Sequence, residues 1–340
     1  MIGFPSTRVG LDPGTANTLV YVKGRGLAVN EPSLVTIRTN TRDIEAVGGE
    51  AEAGRGRTPR KFQTARPVRA GIISDLDLFD GMLQRFLERA RVRGPLQSLK
   101  VAIAVPSGVT EVERLAMMES IRKVRAADVL LVGQVLAAGR GADLPIEESR
   151  GRMVVNIGAG VTDVAIISLG NTVYARATRV AGDEMDAAIA AHVRATHQLL
   201  IGERTAERLK IEIGSAVSNG RELSLTVKGR CLAHGVPREK TIRGREVHEA
   251  VATPLQRILG AIREALEQTP AELSADLIET GIVLTGGSAL LHGLDQFISR
   301  NCGLPVRVAN DPLACVIRGL AYQLDHLRAI DWRRFGSNGL

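Results

Sequence analysis

The 340-residue chain has few aromatic side chains: one Trp, three Tyr and six Phe, 3% of the total. Stacking platforms for single-stranded nucleic acid need such rings, and no helix-turn-helix or zinc-finger spacing occurs. A nucleic-acid partner is therefore not expected, although the formal net charge of +7 would attract any polyanion. Cysteine is scarce as well. Cys231, Cys302 and Cys315 are odd in number and lack metal-ligand spacing, which excludes a disulfide framework and a zinc site and suits a reducing cytosol. No apolar run reaches the roughly 18 residues that span a bilayer, and "MIGFPSTR" is too short for a secretory signal. The expectation is a soluble, cytoplasmic chain. Two common phosphate motifs are also missing. There is no GxxxxGK(S/T), and Asp163 stands where a Rossmann turn needs its third glycine.

What is present reads as α/β grammar. Short β-branched runs such as "VAIAVP" (residues 101–106) alternate with helical periodicity, as in "EVERLAMMESIRKV". Phe79, Met82, Leu83, Phe86, Leu87 and Ala90 form one apolar stripe opposite Gln84, Arg85, Glu88 and Arg89, so this helix is expected to pack on a sheet. The length calls for one large or two medium cores.

An internal echo carries more. "VGLDPGTANTLVYV" from Val9 and "VVNIGAGVTDVAII" from Val154 share one plan: apolar strand, Asp12 or Asn156, Gly14 or Gly158, Thr18 or Thr162, apolar strand. Each half predicts a β-hairpin whose glycine tip exposes backbone N–H groups, a fit for phosphate. A plain tight turn is the alternative for either loop alone. "GIVLTGGSALLHGLDQFI" (residues 281–298) adds a strand, the turn Gly286-Gly287-Ser288 and a helix expected from near Ala289, with its free N–H groups at the turn.

The segments "DPGTANTLVYVKGRGLAVNEPS", "GVTEVER", "ERLKIEIGSA" and "VLTGGSALL" resemble the MreB family of bacterial actins, from about Val9 to about Leu324. The resemblance implies an α/β actin-like ATPase fold of two lobes, each with a duplicated mixed-sheet core, and ATP with magnesium in the interlobe cleft. It places the first lobe at 1–144, with an insert at about 33–65 and completion by a helix at about 316–330. The second lobe falls at 145–315, with an insert at about 184–244, and 331–340 is a tail. It further implies self-assembly into filaments, cell-shape determination, work with the cell-wall synthesis machinery, and peripheral attachment at the inner face of an anionic membrane.

Residue by residue, the resemblance puts phosphate contacts on Gly14, Thr15, Ala16, Asn17 and Thr18, and on Gly158, Ala159, Gly160 and Thr162. Asp12 is expected to hold magnesium through water. Gly182 and Asp183 lie on the ribose and phosphate side, Glu207 and Lys210 at the nucleoside, and Gly286, Gly287, Ser288 and Ala289 close over adenine and phosphates. Glu207 and Lys210 share a helix face at i and i+3, so an ordinary surface ion pair is the competing reading.

Pro13 stands in place of the family's usual aliphatic residue and Ala159 in place of a glycine, and two further departures bear on the chemistry. Asn156 replaces an aspartate near magnesium and the attacking water, and Gln134 replaces the glutamate that positions that water. An amide orients water but takes no proton at neutral pH, so ATP hydrolysis is expected to be slow. A non-hydrolysing scaffold, and a phosphotransferase or chaperone-type ATPase of the same superfamily, remain as alternatives. For membrane contact the candidates are Arg89, Arg91, Arg93 and Lys100 around Pro95, Leu96 and Leu99, with Ile2 and Phe4 at the start of the chain. Trp332 and Phe335 in the tail suit either docking on a partner or a frayed end.

Overall fold

The computed structural model describes residues 6–92, 98–218 and 223–326. The chain divides into two units, Met1–Glu148 with Leu313–Leu340, and Ser149–Pro312.

Unit 1 opens with β1 (Ser6–Pro13), β2 (Asn17–Val22) and β3 (Gly26–Pro32). A smaller layer follows: β4 (Val35–Arg38), β5 (Ile44–Val47), α1 (Gly49–Gly54) and β6 (Phe62–Ala65). After the short pair β7 (Val68–Arg69) and β8 (Ile72–Ile73) come α2 (Leu76–Arg89), β9 (Ser98–Val105), α3 (Glu111–Lys123), β10 (Ala126–Gly133) and α4 (Gln134–Gly141). The main sheet runs β10-β9-β1-β2-β3, with β1 antiparallel to β2 and parallel to β9. As the central strand, β1 is buried from Val9 to Pro13, which accounts for its near-continuous apolar run. The stripe read from the sequence holds: α2 buries Phe79, Met82, Leu83, Phe86 and Leu87 into the core that contains Leu11, Val20 and Ile103. Asp75 caps α2 by accepting from Leu78 N–H at 3.1 Å, and Thr110 with Glu113 forms a capping box on α3.

Unit 2 repeats the plan. It contains β11 (Arg152–Ile157), β12 (Thr162–Ser168), β13 (Asn171–Thr178), α5 (Gly182–His197), β14 (Leu199–Leu200), α6 (Glu203–Ile213), β15 (Ser224–Cys231) and β16 (Pro237–Arg243). Then come α7 (Gly244–Glu267), α8 (Ala271–Thr280), β17 (Ile282–Thr285), α9 (Leu294–Cys302) and β18 (Val306–Val308). Its main sheet runs β13-β12-β11-β17-β18, again a central strand antiparallel to its hairpin partner β12 and parallel to β17. Strand for strand this order matches that of unit 1, so the echo at Val9 and Val154 is a duplicated mixed sheet. Val155, Ile157, Val164 and Ile166 meet Ile189, Ile258 and Ile262 in one core.

One expected helix start is corrected. The segment after the Gly286 turn is a 3-10 turn, Gly287–Leu290, and the α-helix begins only at Leu294. Gly293, at φ +70°, breaks the chain direction between them, and Leu290 is exposed rather than on the apolar stripe. The turn therefore offers no α-helix N-terminus at Ala289.

The last described helix, α10 (Cys315–His326), belongs to unit 1 and lies on α4 and β1. The approach of α4 and α10 is as close as two backbones allow. A Cβ at Gly141 would stand 1.7 Å from the Cys315 carbonyl oxygen, and one at Gly319 would stand 1.8 Å from that of Ala137. Arg8 Nη1 and Lys23 Nζ donate to the Leu324 carbonyl at 3.2 and 3.1 Å, placing cations at the helix C-terminus, where the dipole favours them.

Gly319→Ala should therefore cost about 1–3 kcal/mol or more in urea unfolding, because both contacts are backbone and cannot rotate away. Gly260→Ala in α7, where an added Cβ meets nothing within 4 Å, is the control. It should be neutral or stabilising by about 0.5–1 kcal/mol. Equal responses at the two sites would show that the α4–α10 contact is not tight.

Candidate functional site

In unit 1 the hairpin tip is built by hydrogen bonds that consume its side chains. Thr18 Oγ1 lies 2.8 Å from Ser33 Oγ, which donates to the Gly14 carbonyl at 2.6 Å, and Ser33 N–H donates to the Ala16 carbonyl at 2.8 Å. Thr15 Oγ1 accepts from Gly71 N–H at 3.0 Å, and Arg66 donates to the Thr15 carbonyl at 3.2 Å. The hydroxyls of Thr15 and Thr18 are thus spent on the loop's own shape. The tip offers backbone instead: among the described residues, no acceptor takes the N–H groups of Thr15 and Ala16, and Ala16 is exposed. Gly14 is required here, since a Cβ would meet the Asn17 carbonyl oxygen at 2.7 Å. Pro13, the last residue of β1, loses only an N–H at a strand end.

Asp12 sits one residue before that proline. The strand order β10-β9-β1 brings the start of α4 to it, and the Gln134 side chain hydrogen-bonds its carboxylate across 122 positions of sequence. Asp12 is 7% exposed, and its Oδ1 has no hydrogen-bond partner among the described residues. Burial pushes the carboxyl up to about 7, and the bond from Gln134 offsets only part of that rise. A buried carboxylate with an orphaned oxygen gains most from a neighbouring cation, and its hard oxygens suit magnesium. Among the described residues no group of three or more His, Cys, Asp or Glu is placed to hold a metal. One protein carboxylate, with water and phosphate completing the shell, is a usual arrangement for this ion. Asp12 therefore fits the role.

In unit 2 the second tip is tied to two other segments. The Gly158 carbonyl accepts from Gly182 N–H at 3.2 Å and from Ser288 Oγ at 2.7 Å, and the Ala159 carbonyl accepts from Asp183 N–H at 2.7 Å. The start of α5 thus spends two of its free donors on the hairpin, while the N–H groups of Ala159 and Gly160 meet no acceptor among the described residues. Thr162 Oγ1 is buried and donates to the Val180 carbonyl at 2.7 Å. Gly286, at φ +84°, passes so close to β11 that a Cβ would lie 2.4 Å from the Ile157 carbonyl oxygen and 2.9 Å from Asn156 Oδ1. This brings Gly286, Gly287, Ser288 and Ala289 beside Gly158. Asn156, 4% exposed, accepts at Oδ1 from Thr285 Oγ1 at 3.1 Å, its parallel partner on β17.

Lys210 and Glu207 both lie on α6, and the ion pair between them that was the competing reading does not form among the described residues. Lys210 Nζ instead bonds Asp186 Oδ2 at 2.8 Å and the Gly182 carbonyl at 3.1 Å. Asp186 escaped the sequence reading. Its only signal is its place three residues after Asp183 on the same face of α5, in the stretch "AGDEMD" (residues 181–186). Ser33 and Thr285, which shape the two loops, lie within segments that carry the family resemblance, but it gives them no role of their own.

Two central strands of duplicated topology, each running into a glycine-tipped hairpin, define an actin-like fold. The family model described as MreB/Mbl protein matches residues 6–331, and the chain belongs to that family. Cell shape-determining protein MreB of Escherichia coli (strain K12) is 45% identical over 322 residues, 93% of each chain. The crystal structure of MreB 5 of Spiroplasma citri bound to AMPPNP is 35% identical, with a TM-score of 0.89 over 92% of this chain and 94% of that one. The same protein bound to ADP gives 33% and 0.90, over 98% and 99%.

The raised Asp12 carboxyl has a consequence for stability. Folded Asp12 holds its proton more tightly than an unfolded aspartate, so its contribution to stability is full below about pH 3.8 and is lost as pH rises through about 7. In EDTA and without nucleotide, Asp12→Asn should raise stability at pH 8 by on the order of 2–4 kcal/mol and change little near pH 4. Urea unfolding at the two pH values measures this, and no gain at pH 8 would mean that Asp12 is solvated.

Proposed function

We propose that this chain binds ATP with magnesium, hydrolyses it slowly, and assembles with further copies of itself into filaments that act in cell-shape determination. The observation that carries the reading is the pair of glycine tips, one in each unit. Their side chains are engaged internally and their N–H groups are left over, beside an orphaned carboxylate in unit 1. Backbone N–H groups of this kind cradle phosphate oxygens. The nucleotides bound by MreB 5 of Spiroplasma citri and the name of the Escherichia coli relative support the same assignment.

In this reading Gly14, Thr15, Ala16 and Asn17 supply backbone to the phosphates, as do Gly158, Ala159 and Gly160. Thr18 and Thr162 hold the hairpins in shape. Gly182, Asp183, Glu207 and Lys210 serve the ribose and base, with the Gly286–Ala289 turn beside them. Magnesium, when bound, neutralises phosphate charge, and Asp12 is the residue that would hold it. Gln134 orients water through a hydrogen bond and accepts no proton, and Asn156 likewise. Orienting partners at metal sites are worth about 10- to 100-fold each, so slow turnover with retained binding is the expected balance.

Membrane attachment is supported less by this chain's own residues. Arg89 is paired with Glu31 and Glu50, and Lys100 with its cross-strand neighbour Asp128, so two of the four cations already have partners. Leu99 is buried. Ile2, Phe4, Arg93, Pro95, Leu96, Trp332 and Phe335 lie outside the described residues. No described helix is long and apolar enough to cross a membrane. Peripheral binding to an anionic inner leaflet and engagement of the cell-wall synthesis machinery rest on the family reading alone.

The deciding experiment pairs electron microscopy of the purified chain, with and without ATP, with phosphate release from the polymer. Filaments that need ATP, and slow release, are expected. The absence of filaments and of ATP affinity would end the proposal. Asn156→Asp together with Gln134→Glu should then speed release by about tenfold or more. Unchanged release would clear these two amides of responsibility, and filaments with no release at all would favour a scaffold that keeps ATP as a structural ligand.

A further inference from the structure

We infer that Asp186 is a positioning residue: it holds the Lys210 ammonium away from Glu207, so that one cation and one free carboxylate face the nucleoside end of a bound nucleotide. The inference rests on the nucleotide reading above and concerns a residue that reading does not use.

Lys210 sits on α6 and Asp186 on α5, 24 positions earlier. The ammonium donates to Asp186 Oδ2 at 2.8 Å and to the Gly182 carbonyl at 3.1 Å, and both side chains are 13% exposed. An ammonium carries three donors, so two bonds to α5 leave one for a ligand. A lysine stem is otherwise long and mobile, and its nearest alternative partner is Glu207, three residues back on the same helix face. Were Lys210 to swing to Glu207, the site would lose its placed cation and its free acceptor together. Asp186 prevents that exchange by outcompeting Glu207 from across the helix pair.

The pair is not there for stability alone. Asp186 Oδ1 is buried and has no hydrogen-bond partner among the described residues. Burial pushes the carboxyl up to about 6 against the pull of Lys210, with Glu207 and Asp183 adding to the rise. A half-satisfied buried pair of this kind is often no better for folding than an apolar contact of similar volume. What it does supply is geometry, since Lys210 is locked to the Gly182 carbonyl, and Gly182 N–H is itself bonded to the Gly158 carbonyl at the hairpin tip. The placement of the cation is thereby tied to the phosphate loop.

The test is calorimetric titration of the full chain, in magnesium, with ATP and separately with inorganic tripolyphosphate. Asp186→Asn should weaken ATP about tenfold and leave tripolyphosphate within about twofold, the low end of what orienting partners are worth. In a Lys210→Met background the same change should add nothing, because the two residues act as one unit. Asp186→Glu, which keeps the charge but moves it by one methylene, should give an intermediate loss for ATP only, and it carries the comparison if the asparagine variant does not fold. Equal losses for both ligands would reduce Asp186 to a structural pair and overturn the inference, as would full ATP affinity in Asp186→Asn when Lys210→Met weakens it. A wild-type chain that binds no ATP overturns the nucleotide reading itself and this inference with it.

Discussion

The carbonyl oxygen of Gly158 accepts two hydrogen bonds, from the first N–H of α5 and from the hydroxyl of Ser288. That single acceptor joins three stretches of chain that are remote in sequence: the β11–β12 hairpin, the start of α5 and the turn after β17. Each is a loop, and loops held by one another are precise only when their backbone polar groups are spoken for. Here the Gly158 and Ala159 carbonyls are taken by their partners, while the N–H groups of Ala159 and Gly160 meet no acceptor among the described residues. Two adjacent free N–H groups at a tight turn are what the proposed phosphate contact requires.

Unit 1 reaches the same result by different bonds. Ser33 ties both the Gly14 and the Ala16 carbonyls, and Gly71 and Arg66 secure Thr15. The duplicated sheet supplies the hairpin in both units, while the residues that lock it differ. The units also differ at the strand position just before the tip. Unit 1 has Asp12, a buried carboxylate whose charge is poorly compensated, and unit 2 has Asn156, a neutral amide in the matching place. Charge that would be costly in both has been kept in one.

How much of this was legible in the sequence depends on whether the cause was local. The hairpins could be read because alternating apolar runs and a glycine tip specify them within about fourteen residues, and the α2 stripe because one helix face meets one sheet. The false helix start near Ala289 has a local cause too: "ALLHGL" keeps helical periodicity, and nothing in the composition announces that Gly293 adopts a left-handed turn. The ion pair of Lys210 could not be read, since helical spacing points to Glu207 and the true partner lies across a helix pair whose register only tertiary packing decides. The same holds for Gly141 and Gly319, which look like helix-weakening residues until their facing backbones are seen. The juxtaposition of Asp12 and Gln134 was accessible only through resemblance to a family, because 122 positions of sequence separate them.

The amide at Asn156 does more than subtract a base. Its Oδ1 is occupied by the Thr285 hydroxyl on the neighbouring strand, so its Nδ2 is the end not engaged. An aspartate in that place would turn an acceptor toward its surroundings, suited to a water's hydrogen or a hydrated cation; this residue turns a donor, suited to phosphate oxygen. Thr285, fully buried on β17, enforces the choice by donating to Oδ1. On the proposed reading, an amide here can orient water or hold a phosphate oxygen through Nδ2, but it takes no proton, so binding is kept while turnover falls. If assembly follows nucleotide occupancy as proposed above, that balance favours the occupied chain, and it is reached by one side-chain change on β11 without altering the hairpin that follows it.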